Sequence, residues 1–318
     1  MKFFSNAAYH FIEKRRTAYV FSVVFLAVGI AGMGFNIATL GSWQNYGVDF
    51  LGGSLVQVRF ADPITAAELR SALGGADSPP ITQFGDEGES EFVIRAPLEE
   101  DVSITQVADD LEAVITSNLP GRGFEVRSTE LVGAKVGEEL QRNAFLAILL
   151  SFVLTLSYLA MRFEFRFGLA AVIATAHDIL ITLGFLAVFR IEIALPTVAA
   201  ILTILGYSLN DTIVVFDRVR ENLTAKGARK RDPVELVNQS INETLPRTVL
   251  TSGTTLVVLF ALLILGGAVL RDFTLVLILG VVVGTYSSIF VASPALIEIQ
   301  KRFGVGGEKK ARPQPATV

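Results

Sequence analysis

Charged side chains leave long gaps along this chain. Residues 17–48 hold none, and neither do 143–161, 248–270 and 273–297. The stretch 167–189 is broken only by His177 and Asp178, and 193–216 only by Asp211. A helix needs about 20 apolar residues to cross ~30 Å of hydrocarbon. The pattern therefore predicts six transmembrane helices, near 18–40, 143–161, 168–189, 195–216, 248–270 and 273–297. The first run is too long for the roughly 7–15-residue core of a signal peptide, and no small-residue cleavage site follows it. It comes after Lys14, Arg15 and Arg16, so it reads as an anchor with its N-terminus inside.

Residues 41–140 show a soluble pattern instead. Leu55–Phe60 alternates like a strand. Thr65 with Glu68 forms a capping box that opens a short helix to about Leu73. Ile81–Phe84 and Glu91–Ile94 read as strands around a turn of Gly85, Asp86, Glu87 and Gly88. Ser103 and Gln106 open a second helix, to about Asn118, with Val107, Leu111, Val114 and Ile115 on one face. Phe124–Leu131 is the last strand. The expected order is βαββαβ, a small antiparallel sheet with two helices on one face. The division is then a cytoplasmic N-terminus (1–17), helix one (18–40), an external domain (41–140), helices two to six (141–300) and a cytoplasmic tail (301–318).

Composition agrees with a membrane protein. Of 318 residues, 51% are hydrophobic and 18% charged, below the roughly 25% of soluble domains. With no cysteine and two histidines, disulfides, thiolate chemistry and His-rich metal sites are excluded. Segment 41–140 has 6 basic and 18 acidic residues, a net of 6 − 18 = −12; the remainder has 21 and 13, a net of +8. Basic clusters lie before residue 17, at Arg162 and Arg166, across 218–231, and at Lys301, Arg302, Lys309, Lys310 and Arg312. Each falls inside if six spans alternate from an inside N-terminus. They read as membrane flanks rather than nucleic-acid sites.

The few polar groups within the spans carry the candidate chemistry. A mid-bilayer ionisable residue costs roughly 2.5–3.5 kcal/mol on the insertion scale, so it is a functional suspect. Asp178 and Asp211 are such residues. Arg247 stands where the fifth span begins, followed by Thr248, Thr251, Ser252 and Thr255 at i, i+3, i+4, i+7. His177 and Asp178 point about 100° apart and cannot both face one partner. Plainer readings stand beside these: the carboxylates as interhelical glue, Arg247 as an interface anchor, the hydroxyl stripe as close packing, Gly280 and Gly284 as a packing pair, and Trp43 as an interfacial residue. Gly52-Gly53 reads as a tight turn or as a hinge. The functional reading joins the polar groups: a carboxylate that alternately pairs with Arg247 and carries a proton is a switch, and a proton gradient can drive it. Nucleophile, metal and cofactor constellations are missing from the sequence, which argues against an enzyme.

At these residues the chain resembles the SecD/SecF family of the RND superfamily, on its SecF side. Gly47-Val48-Asp49-Phe50-Leu51-Gly52-Gly53 is similar to the family's motif after the first span. Ala176-His177-Asp178 is similar to its third-span pattern, and Gly206 to Arg218, containing Ser208-Leu209-Asn210-Asp211-Thr212, to its fourth. The resemblance implies a ferredoxin-like external domain and a bacterial inner-membrane location with both termini cytoplasmic. It implies SecD as partner in a heterodimer, association with the SecYEG channel and YajC, and preproteins as substrates. Use of the proton-motive force after the ATP-driven SecA step is also implied, with sodium as the alternative ion. No cofactor is expected. Asp211, Arg247, Asp178 and Asn210 become the expected ion-coupling residues, and Asp49, Gly52 and Gly53 the motif. The rival functions are half of an RND exporter of small molecules or lipids, and a passive scaffold of the translocon. An external domain of only about 100 residues weighs against the exporter.

Overall fold

The computed structural model describes residues 8–75, 78–84, 90–96, 104–225 and 231–303. The expected turn at 85–88, Ser103 and the basic residues from 309 onward lie outside the described residues.

Among the described residues, six helices are long and apolar enough to cross a membrane. The first is α1 (Arg15–Leu40). A short strand β1 (Asn45–Tyr46) and a one-turn helix α2 (Val48–Leu51) follow it, unforeseen in the sequence pattern. The external elements are β2 (Gly53–Phe60), α3 (Ala66–Ala72), β3 (Ile81–Phe84), β4 (Glu91–Ala96), α4 (Ile104–Asn118) and β5 (Phe124–Val132). Then come α5 (Ala134–Arg162), α6 (Phe165–Phe189), a two-residue strand β6 (Glu192–Ile193), α7 (Leu195–Thr224), α8 (Pro233–Leu265) and α9 (Gly267–Ser287). α9 continues through a π-helical turn, Ser288–Ala292, into α10 (Ser293–Phe303).

Several helix boundaries differ from the charge-gap expectation: α5 begins at Ala134, not 143, and α7 runs on to Thr224, not 216. The fifth helix begins at Pro233, not 248. Its start is locally encoded: Asp232 accepts from the Val234 N–H at 3.0 Å, and Pro233 fills the first helical position. Leu236, Val237, Ile241 and Leu245 are buried at helical spacing, and the helix runs on through Pro246. A charge-free window detects the part of a helix that suits lipid, not the whole helix. Arg271 and Asp272 were expected to form the loop before the sixth span. The reversal lies instead at Gly266–Gly267, where Gly267 adopts φ 69°, and both charges sit in α9.

α6, α7 and α9 form the buried centre, while α1, α5 and α8 leave broad apolar faces exposed. One hydrophobic cluster holds Phe163, Phe167, Phe216, Ile241 and Leu296; a second holds Leu186, Ile201, Ile204, Val276 and Val281. Close helix approach relies on small residues. A Cβ on Gly184 of α6 would lie 2.8 Å from the Gly29 Cα of α1. Gly284 of α9 meets Ser208 of α7, in line with the packing reading of the glycine pair.

The external sheet is antiparallel, with strand order β3-β4-β2-β5 and register Val56↔Ile94 and Val58↔Phe92. The inward positions of β2 and β4 meet Leu69 of α3 and Ile115 of α4 in a separate core. The capping box of Thr65 and Glu68 forms as expected. Val114, expected on the packed face of α4, is exposed.

Candidate functional site

Asp178 and Asp211 lie in neighbouring helices, on α6 and α7, 1% and 6% exposed. Neither is left without hydrogen-bond donors. Asp178 Oδ2 accepts from Ser287 Oγ at 2.7 Å and from Ser208 Oγ. Asp211 accepts from Thr248 Oγ1 at 2.7 Å and from Ser288 Oγ. Consecutive serines of α9 thus reach two different carboxylates. They sit where the helix changes to π winding, which re-aims side chains and recurs at functional sites. The Ser288 carbonyl accepts from Ser293 Oγ at 2.8 Å, which bridges the widened turn.

His177 reaches Ser22 of α1 and Asp178 reaches Ser208 of α7, but the two also share a partner helix, contrary to expectation: the ring stacks on Tyr286 of α9 and the carboxylate accepts from Ser287 of α9. Their own side chains meet as well, with Nδ1 and Oδ1 2.8 Å apart. Proton directions along this chain can be followed. Tyr286 donates its hydroxyl proton to the Ala18 carbonyl at 2.8 Å. Ser22, 3.2 Å from Tyr286 Oη, then donates to it, and so accepts from His177 Nε2–H at 3.0 Å. With Nε2 protonated, the Nδ1–Oδ1 contact needs one further proton between imidazole and carboxylate. The pair is then neutral as a unit, in either form of that contact, which suits its burial among α1, α6, α7 and α9.

Asp211 has no such cationic contact. Arg247 is near enough to act on it electrostatically, but its side chain is exposed and, among the described residues, no ion pair joins them. Arg247 lies well inside α8 rather than at its start. The expected hydroxyl stripe divides. Thr248 and Ser252 face inward, Ser252 bonding Thr285 at 2.7 Å and Tyr207 at 3.2 Å. Thr251 bonds back to the Arg247 carbonyl and Thr255 to that of Thr251. Asn210 is not gathered into the cluster; it is exposed on α7, in a groove against Leu154, Thr155 and Tyr158 of α5.

The glycine motif lies elsewhere, at the outer end of the bundle. Gly52 has φ 77°, and a Cβ there would lie 2.8 Å from the Ala134 Cα at the start of α5. Asp49 accepts from the Leu195 N–H at 2.9 Å and so caps α7. The motif is a tight turn that fastens α2 to α5 and α7. Sequence reasoning missed Ser22, Ser287, Ser288 and Tyr286. The polar run Thr285-Tyr286-Ser287-Ser288 within an apolar span was the available signal.

Fold and site together define a polytopic helical membrane protein with paired carboxylates buried between its central helices. The comparisons narrow the class. Residues 113–302 match the family model described as protein export membrane protein SecD/SecF, C-terminal, and 45–64 match the SecD/SecF GG motif. The chain is 44% identical to the protein translocase subunit SecF of Gemmatimonas aurantiaca, over 95% of this chain and 90% of that one. It is 43% identical to the SecF of Vibrio alginolyticus, over 91% and 89%. A crystal structure of SecDF from Thermus thermophilus, described as a translocon-associated membrane protein, aligns with TM-score 0.76 at 40% identity. A SecDF crystal structure in a super-membrane-facing form aligns with TM-score 0.68. The chain spans 39% of each of those SecDF chains and 93% and 94% of itself is covered. The chain belongs to the SecD/SecF family.

Proposed function

We propose that this chain is the SecF-type subunit of the Sec translocase accessory complex, and that it uses a proton gradient to promote preprotein translocation after the ATP-driven step. The observation that carries the reading is Asp211: a buried carboxylate held by two neutral hydroxyls, with Arg247 beside it but not paired. Protonation of Asp211 and pairing with Arg247 are two alternative ways to neutralise one buried charge, so a proton arriving or leaving changes what α7 and α8 hold on to. Moving one charge through 100 mV is worth about 2.3 kcal/mol, enough to bias such an equilibrium. Sodium in place of the proton is the variant reading, and no organic cofactor is invoked.

Thr203 and Asn210 on α7 and Arg247 and Thr251 on α8 are polar and exposed at bilayer depth. That supports a second membrane subunit on this side of the bundle, which we take to be SecD. SecYEG, YajC and preprotein contacts belong to the same reading, as does an inner-membrane location with cytoplasmic termini. The sheet order and helix placement support a ferredoxin-like assignment for the external domain.

The test is preprotein translocation in vesicles carrying the whole complex, with and without an imposed proton gradient. We expect the gradient-dependent increment to vanish in Asp211→Asn and Arg247→Ala while the ATP-driven part persists. An unchanged increment in both variants overturns the reading in favour of a passive scaffold.

A further inference from the structure

The loop joining α6 to α7, residues 190–194, links the helix bearing Asp178 to the helix bearing Asp211, and it is gripped from two sides. On one side is the segment that follows α1. Asn45 Nδ2 donates to the Arg190 carbonyl at 2.9 Å, and Asn45 and Tyr46 pair in parallel with Glu192 and Ile193. Gly47 N–H donates to the Ile193 carbonyl at 2.9 Å, and Asp49 takes the Leu195 N–H. This segment passes through α2 and the Gly52-Gly53 turn directly into β2 of the external domain. On the other side is β4 of that domain: Arg95 Nε lies 3.1 Å from Glu192 Oε1.

The ion pair differs from an ordinary surface pair. Its side chains are 23% and 19% exposed. Arg95 is held from behind by its own donation to Thr82 Oγ1 at 2.7 Å, on the neighbouring strand. The Glu192 carboxylate lies beside Gly47, in space that a side chain at that position would fill. Held by Thr82, the guanidinium is oriented before it meets the carboxylate, so less side-chain entropy is lost in pairing than at an exposed site; Nε–H itself makes no hydrogen bond, so the contact with Glu192 is one of charge. The external domain joins the bundle covalently at two places, through α2 into β2 and from β5 into α5; the segment entering the first of these junctions and the Arg95–Glu192 pair both reach the same short loop.

We propose that the α6–α7 loop is the joint through which rearrangement at the two carboxylates reaches the external domain, with Arg95 and Glu192 as its positioning residues. The proposal rests on the functional reading above. A shift of α7 relative to α6 moves this loop, and the loop cannot move without carrying β1 or β4 with it.

The chain has no cysteine, so spin labels can be placed at will. Labels on Arg70→Cys, on exposed α3, and Phe189→Cys, at the end of α6, report the placement of the external domain. Arg95→Glu, Glu192→Arg and the double exchange are compared in the whole complex in vesicles. Each single reversal is expected to broaden the label distance distribution and to lower the gradient-dependent increment by roughly fivefold or more, leaving ATP-driven translocation unchanged. The exchange is expected to restore both. Single reversals that leave either readout unchanged overturn the joint, as does an exchange that fails to restore both, or an equal loss of ATP-driven translocation. Asp211→Asn, run alongside, separates the two ideas: if it keeps the increment, the functional reading fails, and the label distances still report on the clamp.

Discussion

At the scale of single residues, the site depends on hydroxyls as much as on carboxylates. Ser287 and Ser288 each donate a hydrogen bond to a buried acid, and both are themselves fully buried. Losing one such bond to a charged or shared-proton acceptor costs about 1–3 kcal/mol. Ser287→Ala and Ser288→Ala are each expected to lower the thermal midpoint in detergent to a degree set by that free energy, and Ser288→Ala to lower the gradient-dependent increment more than Ser287→Ala, since its acceptor is Asp211, where the proposed switch acts. The acids were legible in the sequence because a charge in an apolar run is expensive and therefore conspicuous. The serines were not, because a serine in a membrane helix usually bonds its own backbone and costs little. The π winding that aims Ser287 and Ser288 at different helices leaves no mark in a hydrophobic pattern. Asn210 shows the opposite case: its place in the motif next to Asp211 suggested a shared role, but one step along a helix turns it to another face.

At the scale of helices and strands, the sequence pattern found the six long apolar helices among the described residues and the order of the external elements, and misplaced ends. Its rule counts lipid-compatible residues, so the amphipathic first half of α8 and the charged start of α9 fell outside it. β1, α2 and β6 were missed for a different reason. They are too short to have a period, and they exist because the chain after α1 lies against the α6–α7 loop. Helix contacts made by glycine were only partly legible. Gly280 and Gly284 share a helix face, whereas Gly29 and Gly184 are far apart in sequence and meet only in the fold. Gly184→Val should force α1 from α6 at the level of this crossing. Overpacking of this kind costs about 1–3 kcal/mol or more. The expected result is a lowered thermal midpoint, with weakened cross-linking between cysteines placed on α1 and α6; unchanged cross-linking would mean the crossing can relax at little cost.

At the scale of the whole molecule, the charge asymmetry and the ionic clamp fall on the same side. Segment 41–140 is acidic, and the carboxylates around the clamp add to it. Glu192 faces Arg95 from β4, Asp49 from α2 and Asp272 from α9. Burial pushes its carboxyl above the ordinary glutamate value; Arg95 opposes that push, while Asp272 and Asp49 reinforce it. Glu68, by contrast, is held below that value by its bonds with the Thr65 backbone and hydroxyl. The sign follows from that burial. The docked domain holds the Glu192 carboxyl above its ordinary value, so a proton binds the docked arrangement more tightly than an undocked, solvated one; docking is strongest where Glu192 is protonated and weakens as the pH rises through the raised value. Raising the pH on the outer side should therefore broaden the distance between labels at residues 70 and 189, over a range in which Glu68 is ionised throughout and its helix stays capped. A proton gradient directed inward acidifies this same side, so the clamp is placed to tighten under the condition that the proposed function invokes. In Glu192→Gln, which cannot ionise, the distance should not change over that range. A wild-type distance that is equally independent of pH until the external domain itself unfolds would show that the clamp does not respond to protons.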